Sequence, residues 1–171
     1  MSKIVITGGL GYVGTQLCKL HIPETLENEI IVTDRRFLPE RVKELKEWGF
    51  KYIQSDLLDE DKIKELVQDA DVVYHEEQDR MIENVGVQGS RIIIDSLSDT
   101  AKIIFPSTHV VYEGVDETAF DMTEEIEPCP VLTYSKGKVQ TEEDLEKSGK
   151  NYVVLRLGSA HGYGGDSMRI N

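Results

Sequence analysis

Tyr134 and Lys138, in the run Tyr-Ser-Lys-Gly-Lys, stand four residues apart and are suited to proton chemistry. On a helix that spacing puts phenol and ammonium on one face. An isolated phenol ionises only near pH ~10, too high for a good base at neutrality, and a neighbouring ammonium stabilises the phenolate. A second segment suits anion binding: residues 7–14 read Thr-Gly-Gly-Leu-Gly-Tyr-Val-Gly, with Gly8, Gly11 and Gly14 in GxxGxxG spacing. Glycines at such a point permit a tight turn, let backbone approach a pyrophosphate, and let strand and helix pack without intervening side chains. A helix starting there directs its free N–H groups and positive dipole end at phosphates, with Tyr12 and Val13 in its first turn. The segment therefore reads as a dinucleotide fingerprint.

Asp34 extends this reading. It follows Gly14 by twenty residues and closes an apolar run, where a carboxylate can accept hydrogen bonds from adenosine ribose hydroxyls and repel a 2′-phosphate. NAD is the expected cofactor and NADP the less favoured one. Arg35 and Arg36 follow at once and could instead pair with a 2′-phosphate or lie in a solvated loop. Asp56, with Leu57 beside it, is an expected adenine contact; its alternative role is to cap a helix beginning near residue 60.

The elements that must position these residues are legible as alternating short apolar runs and helical stretches. Strands are expected at 3–7, 30–33, 52–54, 72–74, 103–105 and 152–155. Helices are expected at about 11–20, 39–48, 60–68, 85–98 and 132–147, with a long polar loop over 113–131. Strands that are continuous Ile/Val runs belong to a parallel sheet covered on both faces. The expected fold is thus one α/β domain over residues 1–171, a doubly wound, Rossmann-like parallel sheet of about six strands.

Composition limits the partners. With 19 Lys plus Arg against 32 Asp plus Glu, the formal net charge of −13 opposes nucleic acid and anionic membrane surfaces. Cys18 and Cys129 are far apart and show no ligand spacing, so neither a metal site nor a disulfide framework is expected. The sequence enters an apolar strand directly after Met-Ser-Lys and has no stretch of membrane-spanning length, which fits a cytoplasmic protein.

Taken in order, Thr7–Gly14, Ser107-Thr108-His-Val-Val-Tyr112 and Tyr134/Lys138 resemble the extended short-chain dehydrogenase/reductase family, specifically its NAD-dependent nucleotide-sugar epimerases and dehydratases. The glycine segment matches that family's TGGxGYxG in full. Gly89-Ser90 resembles its NVxGT helix, and the segment from Leu155-Arg156 to Gly162 its LRxxNxxG. The resemblance implies catalytic roles for Thr108, Tyr134 and Lys138, with Tyr134 as acid/base and Lys138 on the cofactor ribose. It also implies a nucleotide-sugar substrate, and a homodimer through the helices near 85–98 and 132–147.

Several departures accompany the match. Where the family has small residues after its fourth strand, this chain has His75-Glu76-Glu77-Gln78, and two carboxylates beside a pyrophosphate are unfavourable unless they point away. Arg80, where relatives place a phosphate-contacting lysine, is expected to offset them. A metal reading of the His-Glu-Glu run is disfavoured, because adjacent strand residues face opposite ways. Gly86 and Ser159 replace expected asparagines. Relatives are considerably longer, so the chain is expected to lack most of the C-terminal substrate lobe, as a fragment or a shortened member. Two readings follow: an NAD-dependent epimerase or dehydratase domain, or a non-catalytic NAD(P)-binding or partner-binding module.

Overall fold

A computed structural model of the chain describes residues 1–76, 85–116 and 123–160. Six strands, β1 Lys3–Thr7, β2 Glu29–Asp34, β3 Lys51–Gln54, β4 Val72–His75, β5 Lys102–Thr108 and β6 Asn151–Leu157, form one sheet in the order β3-β2-β1-β4-β5-β6. All five neighbouring pairs are parallel. The order reverses between β1 and β4, the switch point at which crevices form outside the carboxyl ends of strands.

Five helices cover the two faces: α1 Tyr12–His21, α2 Pro39–Glu47, α3 Glu60–Val67, α4 Val85–Ser96 and α5 Thr133–Ser148. On one face Ile6 and Val32 pack with Cys18, Val42 and Leu45 from α1 and α2. On the other, Val5, Val73, Ile103 and Phe105 pack with Ile63, Ile93 and Leu145 from α3, α4 and α5. Local chemistry sets the helix ends: Pro39 stands in the first turn of α2, and the Asp59 side chain accepts from Lys62 N (3.3 Å) ahead of α3. For α5 the cap is remote. The Glu113 carboxylate accepts from the backbone amides of Val131 and Leu132 and from Ser135 Oγ, and these hydrogen bonds hold its pKa below the ordinary carboxylate value.

Two elements exceed the sequence expectation. β5 continues through Pro106 to Thr108 and then turns into a 3-10 helix, His109–Tyr112. A proline ordinarily ends a central strand because it cannot donate to the ladder. Here pairing with β4 stops at Ile104, so Pro106 has only β6 beside it. A second 3-10 helix, Ile22–Leu26, follows α1. The loop expected over 113–131 contains no regular element among its described residues.

Phe105 is fully buried, with its ring stacked on His75 at 5.7 Å between centroids. Phe105→Ala is expected to lower the unfolding free energy by about 3–5 kcal/mol, read from urea denaturation. A loss below about 1 kcal/mol would mean that the site can collapse around the missing ring.

Candidate functional site

β1 ends in the turn that creates the site. At Gly8 the backbone enters the left-handed region, φ 60°, which a side chain rarely tolerates. A Cβ there would lie 2.2 Å from the Glu76 carbonyl oxygen, so β1 and the end of β4 meet backbone to backbone. A Cβ on Gly14 would lie 2.5 Å from the Gly8 oxygen, which lets α1 seat directly on the loop. Gly11 N donates to Gly8 O (2.9 Å) and closes the turn. Because α1 has neither a side-chain cap nor an acidic residue in its first turn, its N–H groups and positive dipole end serve the adjoining cleft.

That cleft draws on Gly8, Gly11, Val13 and Gly14 from the turn, on Asp34 and Arg35 after β2, and on Asp56 and Leu57 after β3. Eight sequence-selected residues are thus brought together. Tyr12 opens α1 beside them, and Arg80 lies outside the described residues, as does Glu77. Thr7, Thr33, Ser55, Glu76 and Val85 also line the cleft. Arg36 lines it too; Thr7, as the first residue of the fingerprint, Glu76 and Arg36 drew attention in the sequence, whereas Thr33, Ser55 and Val85 carry no motif, and their common signal is position at the carboxyl ends of strands or the start of a helix.

Asp34 is buried and its carboxylate accepts four hydrogen bonds. Oδ2 accepts from Leu10 N at 3.1 Å and Arg36 Nη2 at 3.0 Å; Oδ1 accepts from Arg36 N at 2.9 Å and Arg36 Nε at 3.0 Å. The resulting fork holds the Arg36 guanidinium near Gly11, where a Cβ would come within 3.8 Å of Nη2. Asp56 Oδ1 accepts from Leu58 N (3.0 Å), and Asp59 caps α3. The capping alternative for Asp56 therefore fails, because the helix begins one turn later.

A buried polar chain connects this cleft to the opposite helices. His75 Nε2 lies 2.8 Å from Ser90 Oγ, which donates to Gly86 O at 2.7 Å. With the serine proton so committed, Nε2 donates, and Nδ1 accepts from Thr7 Oγ1 at 2.9 Å. Complete burial, aided by the Lys138 charge, pushes the His75 pKa down to about 3, so the ring stays neutral. Burial pushes the neighbouring Glu76 carboxyl up to about 7, against the pull of Lys138. Glu76 is among the residues that line the cleft, and its raised pKa favours the neutral carboxyl, which lessens the charge that makes carboxylates unfavourable there.

Thr108, Tyr134 and Lys138 lie apart from the cleft lining, at the end of β5 and the start of α5. Thr108 is buried, and its Oγ1 accepts from Val110 N at 3.2 Å. Tyr134 is half-buried one turn before Lys138, whose Nζ is 5.8 Å from the tyrosine ring centroid. The buried ammonium donates to Pro106 O (3.1 Å) and sits 4.6 Å from the Phe105 ring centroid. Beside Thr108, a depression lined by His109, Tyr112, Glu113 and Arg156 adjoins this end of the sheet. His109 is exposed, with Nδ1 3.2 Å from Leu157 O. Arg156 is paired with Glu142 at 2.6 Å and donates to the Tyr112 hydroxyl. The described residues contain no group of three His, Cys, Asp or Glu side chains arranged to hold a metal ion, and no helix long and apolar enough to cross a membrane.

Comparison with known proteins gives a family match over residues 5–158, to the 3-beta hydroxysteroid dehydrogenase/isomerase family. Among solved structures, a UDP-Glc/GlcNAc 4-epimerase from Campylobacter jejuni superposes with a TM-score of 0.78 at 23% identity, covering 91% of this chain and 53% of the other. A dTDP-glucose 4,6-dehydratase from Bacillus anthracis in complex with NAD gives 0.84 at 17% identity, covering 96% and 57%. A UDP-glucose 4-epimerase from Brucella ovis in complex with NAD gives 0.74 at 23% identity, covering 91% and 51%. The chain spans about half the length of these structures, and the likeness establishes the fold.

Glu76 provides a test of the cleft's electrostatics. It ionises near 4.5 in an unfolded chain but near 7 when folded, so the folded state binds more protons between these values. Its contribution to stability is full below the lower value and is lost as pH rises through the upper one. Glu76→Gln, which stays neutral, is expected to gain on wild type from near zero at about pH 4 to on the order of 3 kcal/mol at about pH 8. Taking the difference between the two proteins cancels the opposite His75 effect. A difference that does not vary with pH would mean that Glu76 is ionised in the folded chain.

Proposed function

The chain belongs to the 3-beta hydroxysteroid dehydrogenase/isomerase family, within the extended short-chain dehydrogenases/reductases, and from that premise we propose that it is the NAD-binding domain of a nucleotide-sugar epimerase or dehydratase. The backbone contact between Gly8 and Glu76 carries this reading. It leaves a cradle that one Cβ would fill, at the amino end of an uncapped helix and beside a carboxylate that ends β2. A dinucleotide has the matching parts: a pyrophosphate for the helix terminus, and a ribose and base for the segments after β2 and β3. Gly8, Gly11, Val13 and Gly14 hold the pyrophosphate, and Asp34, Arg35, Asp56 and Leu57 surround the adenosine. NAD, when bound, supplies a reversible hydride acceptor at its nicotinamide ring.

The chain's own groups handle the proton. Tyr134 takes it from a sugar hydroxyl and later returns one, and the nearby Lys138 ammonium favours the phenolate while holding the cofactor ribose. Thr108 donates a hydrogen bond to the same sugar oxygen as it becomes a carbonyl. The buried floor under Lys138, Phe105 and the Pro106 carbonyl, fixes where that ammonium can reach. By the same family likeness, a homodimer forms through α4 and α5, which pack together and are joined by Arg91 and Asp144 at 2.6 Å.

Titrating NADH into the chain and following nicotinamide fluorescence tests the first half of the proposal; adding UDP- and dTDP-sugars and assaying for product tests the second. Binding of neither NAD nor NADP would sink it, and binding without turnover would reduce it to cofactor binding. Where turnover is found, Tyr134→Phe is expected to lower kcat by roughly 100-fold or more with NADH affinity retained. For cofactor choice, Asp34→Ala removes the charge that repels a 2′-phosphate and releases Arg36 from its fork. Its ratio of NAD to NADP affinity is expected to fall about tenfold, a change of ~1.4 kcal/mol. An unchanged ratio would show that Asp34 does not read the ribose.

A further inference from the structure

β2 places two consecutive polar side chains on opposite sides of the sheet. Asp34 turns to the Leu10 amide and Arg36. Thr33 pairs in register with Thr7 on one side and Ile53 on the other, and Thr7 in turn with His75. Since paired residues of a parallel sheet share a face, Thr33 lies on the side where Thr7 Oγ1 meets His75 and His75 meets Ser90 of α4. Thr7 thus has a hydrogen-bond partner on that face. Thr33 is 1% exposed, and its Oγ1 is the one buried side-chain polar atom among the described residues with no hydrogen-bond partner in the protein.

A buried hydroxyl without a partner is destabilising, whereas a valine of the same shape carries no such penalty. Thr33 also lines the glycine cleft, as do Ser55, Asp56, Leu57 and Val85. Leu57 is held there by close packing on α4, since a Cβ on Gly89 would approach its side chain to 2.6 Å. Two apolar side chains with hydroxyl and carboxyl groups beside them suit a flat heteroaromatic ring whose edge carries donors and acceptors.

We propose that the Thr33 hydroxyl is a base-recognition group, hydrogen-bonding the edge of adenine when an adenosine nucleotide occupies the cleft. This rests on reading the cleft as a dinucleotide site and adds a residue that reads the base, as distinct from Asp34, which faces the ribose. The two β2 residues then divide the adenosine between them, one on each side of the sheet plane. Of the two functions a threonine side chain offers here, the methyl packs in the sheet layer and the hydroxyl serves the ligand.

Thr33→Val in the full chain separates these functions. Its melting temperature without ligand is expected to equal or exceed that of wild type, while its affinities for ADP-ribose and NAD fall together by about three- to tenfold. Nicotinamide mononucleotide, which has no adenine, is expected to bind both proteins alike, and Thr33→Ser, which keeps the hydroxyl, to retain most of the ADP-ribose affinity. Wild-type affinity of Thr33→Val for ADP-ribose would overturn the proposal, as would an equal loss of nicotinamide mononucleotide or a binding loss matched by a lowered melting temperature. If wild type itself binds no adenosine ligand, the dinucleotide reading fails and takes this assignment with it; wild-type binding with an unaffected Thr33→Val overturns the assignment alone.

Discussion

The contact of Gly8 with the Glu76 carbonyl is the constraint on which the rest of the site depends. Two strands of a parallel sheet end side by side, and the chain leaving the first must turn within the space that the second leaves. Only a residue without Cβ, in a left-handed conformation, fits that space. The turn then places Gly14 against Gly8, which seats α1 with its amino end at the switch point of the sheet. The cleft, its field and its depth follow from that seating. A methyl group at Gly8 would push the ends of β1 and β4 apart and disturb all three.

Beneath the cleft, a neutral imidazole performs the linkage that a charged group could not. His75 joins β1 to α4 through Thr7 and Ser90, and Thr141 of α5 reaches the same serine at 3.5 Å. Complete burial keeps the ring uncharged, which avoids repulsion with the Lys138 ammonium held over the stacked Phe105 ring. The polar chain and the aromatic layer are thus one structure: the same ring that satisfies two hydroxyls supports the ring that supports Lys138. Tyr134 inherits its surroundings from this arrangement.

An acidic surface coexists with a cleft at the amino end of α1 because the charges near the cleft are managed locally. The overall charge is −13, yet the first turn of α1 carries no acid, Asp34 is neutralised by Arg36, and burial favours the protonated form of Glu76. Glu113 is turned away to cap α5. Net charge therefore limits the partners of the outer surface while saying little about the site.

Much of the architecture was legible in the sequence, because continuous Ile/Val runs and helical periodicity are local signals, and GxxGxxG between a strand and a helix imposes a local turn. The expected strand and helix positions, the six-strand parallel sheet and the family follow from such signals. The strand expected at 103–105 continues through Pro106 to Thr108, and only the neighbouring ladders reveal that a proline is tolerated there because β4 no longer needs its N–H. The alternative cap at Asp56 failed by a displacement of three residues along the chain. Other features could not be read at all, since they depend on which strands become neighbours. The partnering of His75 by Thr7 and Ser90, the raised pKa of Glu76, the pairing of Arg36 with Asp34 and the unpartnered hydroxyl of Thr33 each require distances between segments far apart in sequence or the orientation of one side chain. Residue type and spacing fixed what the chain could form; burial and contact across the sheet decided which groups are charged, which are paired and which face the cleft.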